Sequence, residues 1–582
     1  MKLFLFCATL IIIFSTRVLA ESITVVAERI NEESSFSGLL GSEFKPSNLP
    51  VDFYQEVNLL PFVQSRGNSF IYSDDSMRFM GQSSSQLLVI EDGLPEQSST
   101  GIGGSRSYHF LDPFFFSLIK THVGGSVSSL GSGAFSGALE LVSEMRPTEK
   151  YMLSVGSFGF QKMAYQKVYE KNNQLWSAEF LRSFKSGPSL KPNQKTVAEN
   201  DARELNILRF KWKQKPKSEL GQFIQLNLFS DYQDFDQFDE DDDRPFSKEK
   251  NFEIIYKNNQ LVLNKLIWRN ALRIQSNQRQ VNNVFGDLEN LLVYKSTNLF
   301  GKSDIEVIDF WALDNLHAGF DFSQDLYLNI TEVQGLTNPT FSKKSLYANT
   351  VKKVNRNRYR ASFRLEQVQK QILPTSKIGY DLITSKYLAS IQFSNNTRQP
   401  SFYELYSTYG NRDLRAEKNY SLESNITYKS KHSEFQLMGF GQSMRKMIYY
   451  NSETFQFDNI HKNNLAGLGL SYKKYLGSTG LNLSTSYTYS ENELAKLGLS
   501  PFKMSASVNY LFSPKLSMEW QNVFYSDRVV FGGEKTGESI FSTIALKYKM
   551  MSNIDVNASI QGDYQKNNLW NEFFQVSLTG NL

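Results

Sequence analysis

The densest run of side chains able to do chemistry is acidic: Asp231, Asp234, Asp236, Asp239, Glu240, Asp241, Asp242 and Asp243. So many neighbouring carboxylates repel unless neutralised, and calcium takes about six to eight oxygens in flexible geometry, so Asp234, Asp236, Asp239, Asp241 and Asp243 are candidate metal ligands. A solvated loop is the plainer reading of the same run. The histidines, His109, His122, His317, His432 and His461, show no zinc-protease spacing, and no Gly-x-Ser-x-Gly elbow accompanies them. No catalytic residue is therefore assigned; the best enzymatic reading is a Ser–His hydrolase set in a barrel wall. Cys7, the single cysteine, excludes a disulfide framework. With 63 Lys+Arg against 59 Asp+Glu and no dense basic stripe among aromatics, nucleic acid is not an expected partner. These residues point to binding rather than covalent chemistry.

The elements that must position them are strands. Mean hydropathy is −0.39, which excludes a bundle of membrane helices, while 14% of the residues are aromatic. From about Lys150 onward, apolar residues recur at every second position. Leu481, Leu483, Thr485, Tyr487 and Tyr489 form one face of a segment whose other face holds only Asn, Ser and Thr. Met504, Ala506, Val508, Tyr510 and Phe512 repeat the pattern, as do Ile540, Ser542, Ile544, Leu546, Tyr548 and Met550, with Lys547 and Lys549 between. Such charges cannot face lipid at mid-depth but can face a wet lumen. A soluble propeller or sandwich shares the period of two. The signal-peptide pattern of residues 1–20, with Lys2, the apolar run Leu3 to Phe14 and the small-residue site Val18-Leu19-Ala20, favours export. The alternation of Phe574, Val576, Leu578, Gly580 and Leu582 favours a closing barrel strand. The expected fold is all-β: a transmembrane barrel of antiparallel strands with an N-terminal α+β domain. Length allows either 22 strands at about 20 residues each or sixteen at about 27.

Three stretches resemble TonB-dependent outer-membrane receptors. Ile23, Thr24, Val25, Val26 and Ala27 look like the TonB box, an extended segment that can add itself to a partner's sheet edge. Leu59-Leu60-Pro61-Phe62-Val63, Leu88-Val89-Ile90-Glu91-Asp92-Gly93 and the run from Leu130 to Leu141 follow the family's plug domain, with Gly81, Asp92, Gly93, Gly131, Ser132, Gly133 and Gly137 as its structural positions. Arg398, Pro400, Glu404, Leu405, Gly410, Asn411, Leu414 and Glu423 match the barrel signature, with Pro400 and Gly410-Asn411 bounding a loop. The resemblance implies a TonB-box segment at 21–30, a plug at 31–146 and a barrel, of 22 strands in this family, at 147–582. It also implies energised uptake of cobalamin or a ferric siderophore through the outer membrane, and partnership with the TonB-ExbB-ExbD inner-membrane complex and with outer-membrane lipids. A porin or adhesin barrel is the alternative.

The departures are as specific as the matches. In many family members two plug arginines pair with two barrel glutamates. Met80 and Val123 stand at the arginine positions here, and Gly469 stands at one glutamate position, leaving Glu423 alone. Losing partners together is consistent with the cost of one unpaired buried charge. The plug is then held without that ionic lock, or with Arg78 reaching Glu423. Tyr403, Tyr406 and Tyr409 could contact a siderophore or belong to an interfacial girdle. The resemblance also disfavours haem, since haem-uptake relatives place a histidine between the matching segments and none lies between Arg398 and Leu414 here.

Overall fold

The computed structural model describes residues 43–44, 53, 57–65, 77–96, 111–123, 133, 135–143 and, with breaks including 187–201, 216–219 and 235–245, residues 145–581. The signal-peptide and TonB-box positions, Gly131, Ser132, His109 and Asp236 to Asp243 lie outside the described residues.

From Thr148–Gly156 to Asn568–Asn581 the chain forms one closed barrel of consecutive antiparallel strands. Twenty-two of them make the wall; a three-residue strand, Gly335–Thr337, pairs beside it in the connection between Leu313–Thr331 and Thr340–Val354. The seam pairs Val155 with Val576 and Tyr151 with Gly580, so every backbone edge finds a partner. Connections at one rim are tight turns such as Asn172-Asn173, both with positive φ as a two-residue hairpin requires. Those at the other rim are longer, including 187–201, 235–245 and 399–416. In outer-membrane barrels the long loops face outward, which orients the chain.

Alternation fixes which side chains meet lipid. Tyr487, Tyr489, Met504, Ile544 and Met550 are exposed on the outer face, while Ser484, Ser486, Lys503, Ser505 and Ala545 are buried on the inner one. Lys547 turns inward and pairs with Asp555 at 2.8 Å. Several lumenal charges on the wall are matched within it: Arg364 binds Asp321 through two bonds of 2.7 and 2.8 Å, and Arg360 binds Asp381 likewise at 2.8 Å each.

Inside lies the N-terminal domain. Its strands are β1 (Glu43–Phe44), β2 (Val63–Ser65), β3 (Met77–Phe79), β4 (Leu87–Glu91), β5 (Leu94–Glu96), β6 (Phe116–Val123) and β7 (Gly137–Ser143). A five-stranded sheet runs β1-β6-β7-β4-β5, with β4 and β7 parallel, and β2 pairs with β3. Asp92 and Gly93 connect β4 to β5 with φ of 49° and 82°, the conformation that suits Asp-Gly. Gly137 opens β7 at φ 153°, where an added Cβ would stand 2.3 Å from the His122 carbonyl oxygen.

Candidate functional site

The candidate site is the surface along which this inner domain meets the wall, together with the outer loop above it. Three arcs of wall hold the domain by different physics.

The first arc is apolar and occupies the positions where the family's ionic lock was expected. Met80 is fully buried and joins Phe62, Met438, Phe440, Met444 and Leu465 in one cluster. The Phe62 ring lies edge-on to Phe440, with centroids 5.1 Å apart. At Gly469 a Cβ would come within 2.8 Å of the Phe62 ring, so the missing side chain is the space the ring uses. Gly81 follows Met80 at φ 80° and completes the turn in which Phe79 and Gln82 pair. Arg78 donates to the Gly81 carbonyl at 3.0 Å. Glu423, on the inner face of Glu417–Lys429, is faced by the wall's own Lys377 and Arg360.

The second arc is polar and uncharged apart from one lysine. Lys503 donates to the carbonyls of Leu60, at 2.8 Å, and Val63, at 2.5 Å. Ser484 and Ser505 each donate to the Leu59 carbonyl at 3.1 Å. Gln64 and Ser500 exchange two bonds, at 2.8 and 3.0 Å. A segment with few partners of its own thereby borrows them from the wall.

The third arc is ionic, and its polarity is the reverse of the one the family resemblance implied: the inner domain brings the acids and the wall brings the bases. Glu91 lies 3.5 Å from Arg209 and 3.7 Å from Lys211. Lys211 also faces Asp92 at 3.8 Å and the wall's Glu179 at 3.3 Å, and donates to the Ser143 hydroxyl at 2.5 Å. Asp92 in turn accepts from the Ser143 amide and hydroxyl at 2.9 and 2.7 Å. Lys257 donates to the Asp92 carbonyl and Arg273 to that of Pro95. Further round, Lys162 pairs with Asp112 at 2.6 Å. Arg209, Lys211, Glu91 and Glu179 are all nearly inaccessible, so loss of one charge leaves another uncompensated.

Above these arcs, the loop from Gln399 to Ala416 carries a short helix, α1 (Phe402–Tyr406). Ser401 and Glu404 close a capping box around its first turn. Asn411 donates its amide N–H to the Glu404 carbonyl at 2.9 Å and its side chain to the Phe457 carbonyl at 3.0 Å, drawing the loop back on itself. Pro400 precedes the helix, Gly410 packs against the Leu405 and Tyr406 backbone, and Leu405 and Leu414 join a cluster with Ile448 and Phe457. The barrel-signature residues, apart from Glu423, thus assemble into one loop and its anchor.

The loop tyrosines are not a lipid girdle. Tyr403 stands 5.7 Å from Tyr294 and 6.1 Å from Phe457, and Tyr409 stands 5.8 Å from Tyr450. Arg279 neighbours Tyr403, and Arg412 lies over the Tyr406 ring at 5.3 Å. Burial pushes the Tyr403 and Tyr409 phenols above their ordinary value, so both stay protonated at neutral pH.

Of the acidic run, Asp231 is held by Arg203 at 2.8 and 3.1 Å, and Asp234 accepts from the Tyr232 hydroxyl at 2.5 Å. Among the described residues no group of His, Asp or Glu is arranged to hold a metal. His122 contacts Glu140 at 2.9 Å, and His317 contacts Asp304 at 2.7 Å. His432 and His461 are exposed.

Sequence reasoning missed the basic partners Arg209, Lys211, Lys257 and Arg273. A signal existed: Arg209 and Lys211 are two residues apart on one strand and share its inner face, where an unmatched pair of cations requires acids from elsewhere.

The family model described as TonB dependent receptor-like, beta-barrel matches residues 156–579. No curated protein matches the chain. Among solved structures, the ferric enterobactin receptor of Pseudomonas aeruginosa is similar over 96% of this chain and 100% of its own, with 10% identity and a TM-score of 0.77. The siderophore receptor PirA of Acinetobacter baumannii gives 97%, 100%, 12% and 0.76, and the copper transporter OprC gives 94%, 98%, 11% and 0.76. At these identities the likenesses show the fold.

Proposed function

Because this chain belongs to the TonB-dependent receptor family, we propose that it is an outer-membrane transporter that captures a ferric siderophore outside the cell and admits it by a TonB-driven rearrangement of the plug. The observation that carries the reading is the lumen itself: a folded domain fills it and is tied to the wall on three arcs. A porin or adhesin has no use for so many matched contacts. Without ATP in the outer membrane, work must arrive through a partner, and Ile23 to Ala27 supply the TonB-box-like sequence for the TonB-ExbB-ExbD complex to grip. Residues 21–30 serve as that handle, 31–146 as the plug and 147–582 as the barrel.

The outer chamber suits an aromatic, anionic chelate. Protonated phenols of Tyr403 and Tyr409 can donate, Arg412 lies over the Tyr406 ring, and Arg279 neighbours Tyr403. Four of the similar structures are ferric enterobactin receptors, one of them in complex with enterobactin, and ferric enterobactin is a chelate of this kind. Nothing in the reading requires covalent chemistry.

The test is direct binding to detergent-folded protein of ferric enterobactin and of cobalamin, each with and without calcium. Tight binding of the chelate, weakened at least tenfold by Tyr403→Ala, supports the proposal. Binding of cobalamin alone replaces the siderophore, and calcium-dependent binding gives the acidic loop a role. Binding of neither removes this cargo assignment.

A further inference from the structure

Outer loop and plug meet at one buried carboxylate. Glu417, the first residue of its strand, is completely inaccessible. Its Oε2 accepts from Arg398 Nε at 2.5 Å, and its Oε1 accepts from the Ile448 amide at 2.6 Å and from Nε2 of Gln86 at 3.0 Å. Gln86 belongs to the plug. Its carbonyl accepts from the amide and hydroxyl of Ser136, at 2.7 and 2.8 Å, and the next residue begins β4, the strand that carries Glu91 into the ionic arc.

In the other direction, the two terminal nitrogens of Arg398 clasp both oxygens of Glu404 at 3.0 Å each. Glu404 is the residue that caps α1, through a 2.7 Å bond from the Ser401 amide, and that receives the returning chain at Asn411. A planar guanidinium held between two carboxylates has little rotational freedom, and none of these side chains has water as an alternative partner.

We propose that Arg398 and Glu417 are positioning residues that couple the outer loop to β4 of the plug, so that displacement of α1 by a bound solute is delivered to the plug through Glu404, Arg398, Glu417 and Gln86. This use rests on the outer loop being the capture surface; the mechanical coupling itself does not. Coupling is reciprocal, so a change at either end must be felt at the other.

Hydrogen–deuterium exchange of the full-length, detergent-folded protein reads both directions without any ligand. Gln86→Leu is expected to speed amide exchange across 402–411 on the order of tenfold, since it removes a hydrogen bond to a charged group. Glu404→Gln is expected to speed exchange across 83–91. Gln64→Leu, which loosens the plug at the Ser500 contact instead, should leave 402–411 as in the parent protein. If Gln86→Leu unseats the whole domain, faster exchange of 57–65 reveals it. Gln86→Asn, one methylene too short to reach Glu417, then supplies the same comparison. Unchanged exchange at 402–411 in the plug variant that keeps the domain seated, or acceleration there equal to that of Gln64→Leu, overturns the coupling. Failure here leaves the cargo assignment standing, and failure to bind a chelate leaves this result intact.

Discussion

Replacing Lys211 by Met should release the plug while leaving the barrel folded. Lys211 lies between Glu91 and Asp92 of the plug and Glu179 of the wall, all within 3.8 Å, and is wholly inaccessible. Methionine fills nearly the same volume, so packing is conserved and the change isolates the charge. Removing one partner from a buried ionic cluster costs about 3–5 kcal/mol, because the remaining carboxylates stay uncompensated. Some of that cost falls on Glu179 against Arg209, within the wall, which is present whether or not the plug is seated. Assigning half to the plug contact gives about 2 kcal/mol, or roughly thirtyfold in the ratio of seated to released plug. The strand carrying Lys211 keeps both ladders of backbone bonds, so the barrel should lose only the wall's share, about 2 kcal/mol, and still melt as a separate, later transition. The assay is conductance of the protein in planar bilayers, with calorimetry to separate plug from barrel. Frequent large openings and a lowered plug transition are expected, with partial rescue by adding Glu91→Gln, which removes one of the two acids left sharing Arg209. A closed channel and an unmoved plug transition in Lys211→Met would refute the idea that the reversed ionic arc seats the plug.

Three further outcomes follow from the same geometry. Val25→Pro removes a donor from the proposed handle and should abolish energised uptake while leaving binding of ferric enterobactin intact; loss of binding as well would contradict the assignment. Gly469→Leu forces the Phe62 ring from its place and should lower the plug transition by about 1–3 kcal/mol in calorimetry, with no effect on barrel melting. Leu422→Arg places a charge on the lipid face, where Leu422 is 52% exposed, and should cost barrel stability about 2–4 kcal/mol in denaturant refolding into bilayers.

Period-two alternation made the wall legible. Ile540, Ile544, Leu546, Tyr548 and Met550 fell on the lipid face as read, and Lys547 turned inward, because lipid exerts the same selection at every strand. The Asp92-Gly93 turn was equally readable, since its residues carry their own conformational preference. The barrel-signature motif located its loop but not its wiring. That Arg398 grips both Glu404 and Glu417 depends on a strand returning beside it nineteen residues later, which no local pattern encodes. The contacts of the plug were the least legible. Absence of the familiar arginines at Met80 and Val123 was visible, but the replacement by the Phe62 ring over Gly469 joins residues far apart in the chain, and the reversed arc draws its cations from separate strands.

The three arcs are also ordered along the chain. Contacts of the ionic arc join residues 50 to 178 apart, from Lys162 with Asp112 to Arg273 with Pro95, whereas those of the polar arc join residues 425 to 446 apart, from Ser484 with Leu59 to Ser505 with Leu59. Shorter separations close with less loss of entropy and are available as soon as the early strands exist. The charged side of the plug can therefore serve as a mandrel on which the first strands are laid. The serine-rich strands wrap round the free side afterwards, and the seam between Thr148–Gly156 and Asn568–Asn581 closes over a core already in place. In that order the occupied lumen is a product of how the barrel is wound, and no finished pore has to be plugged.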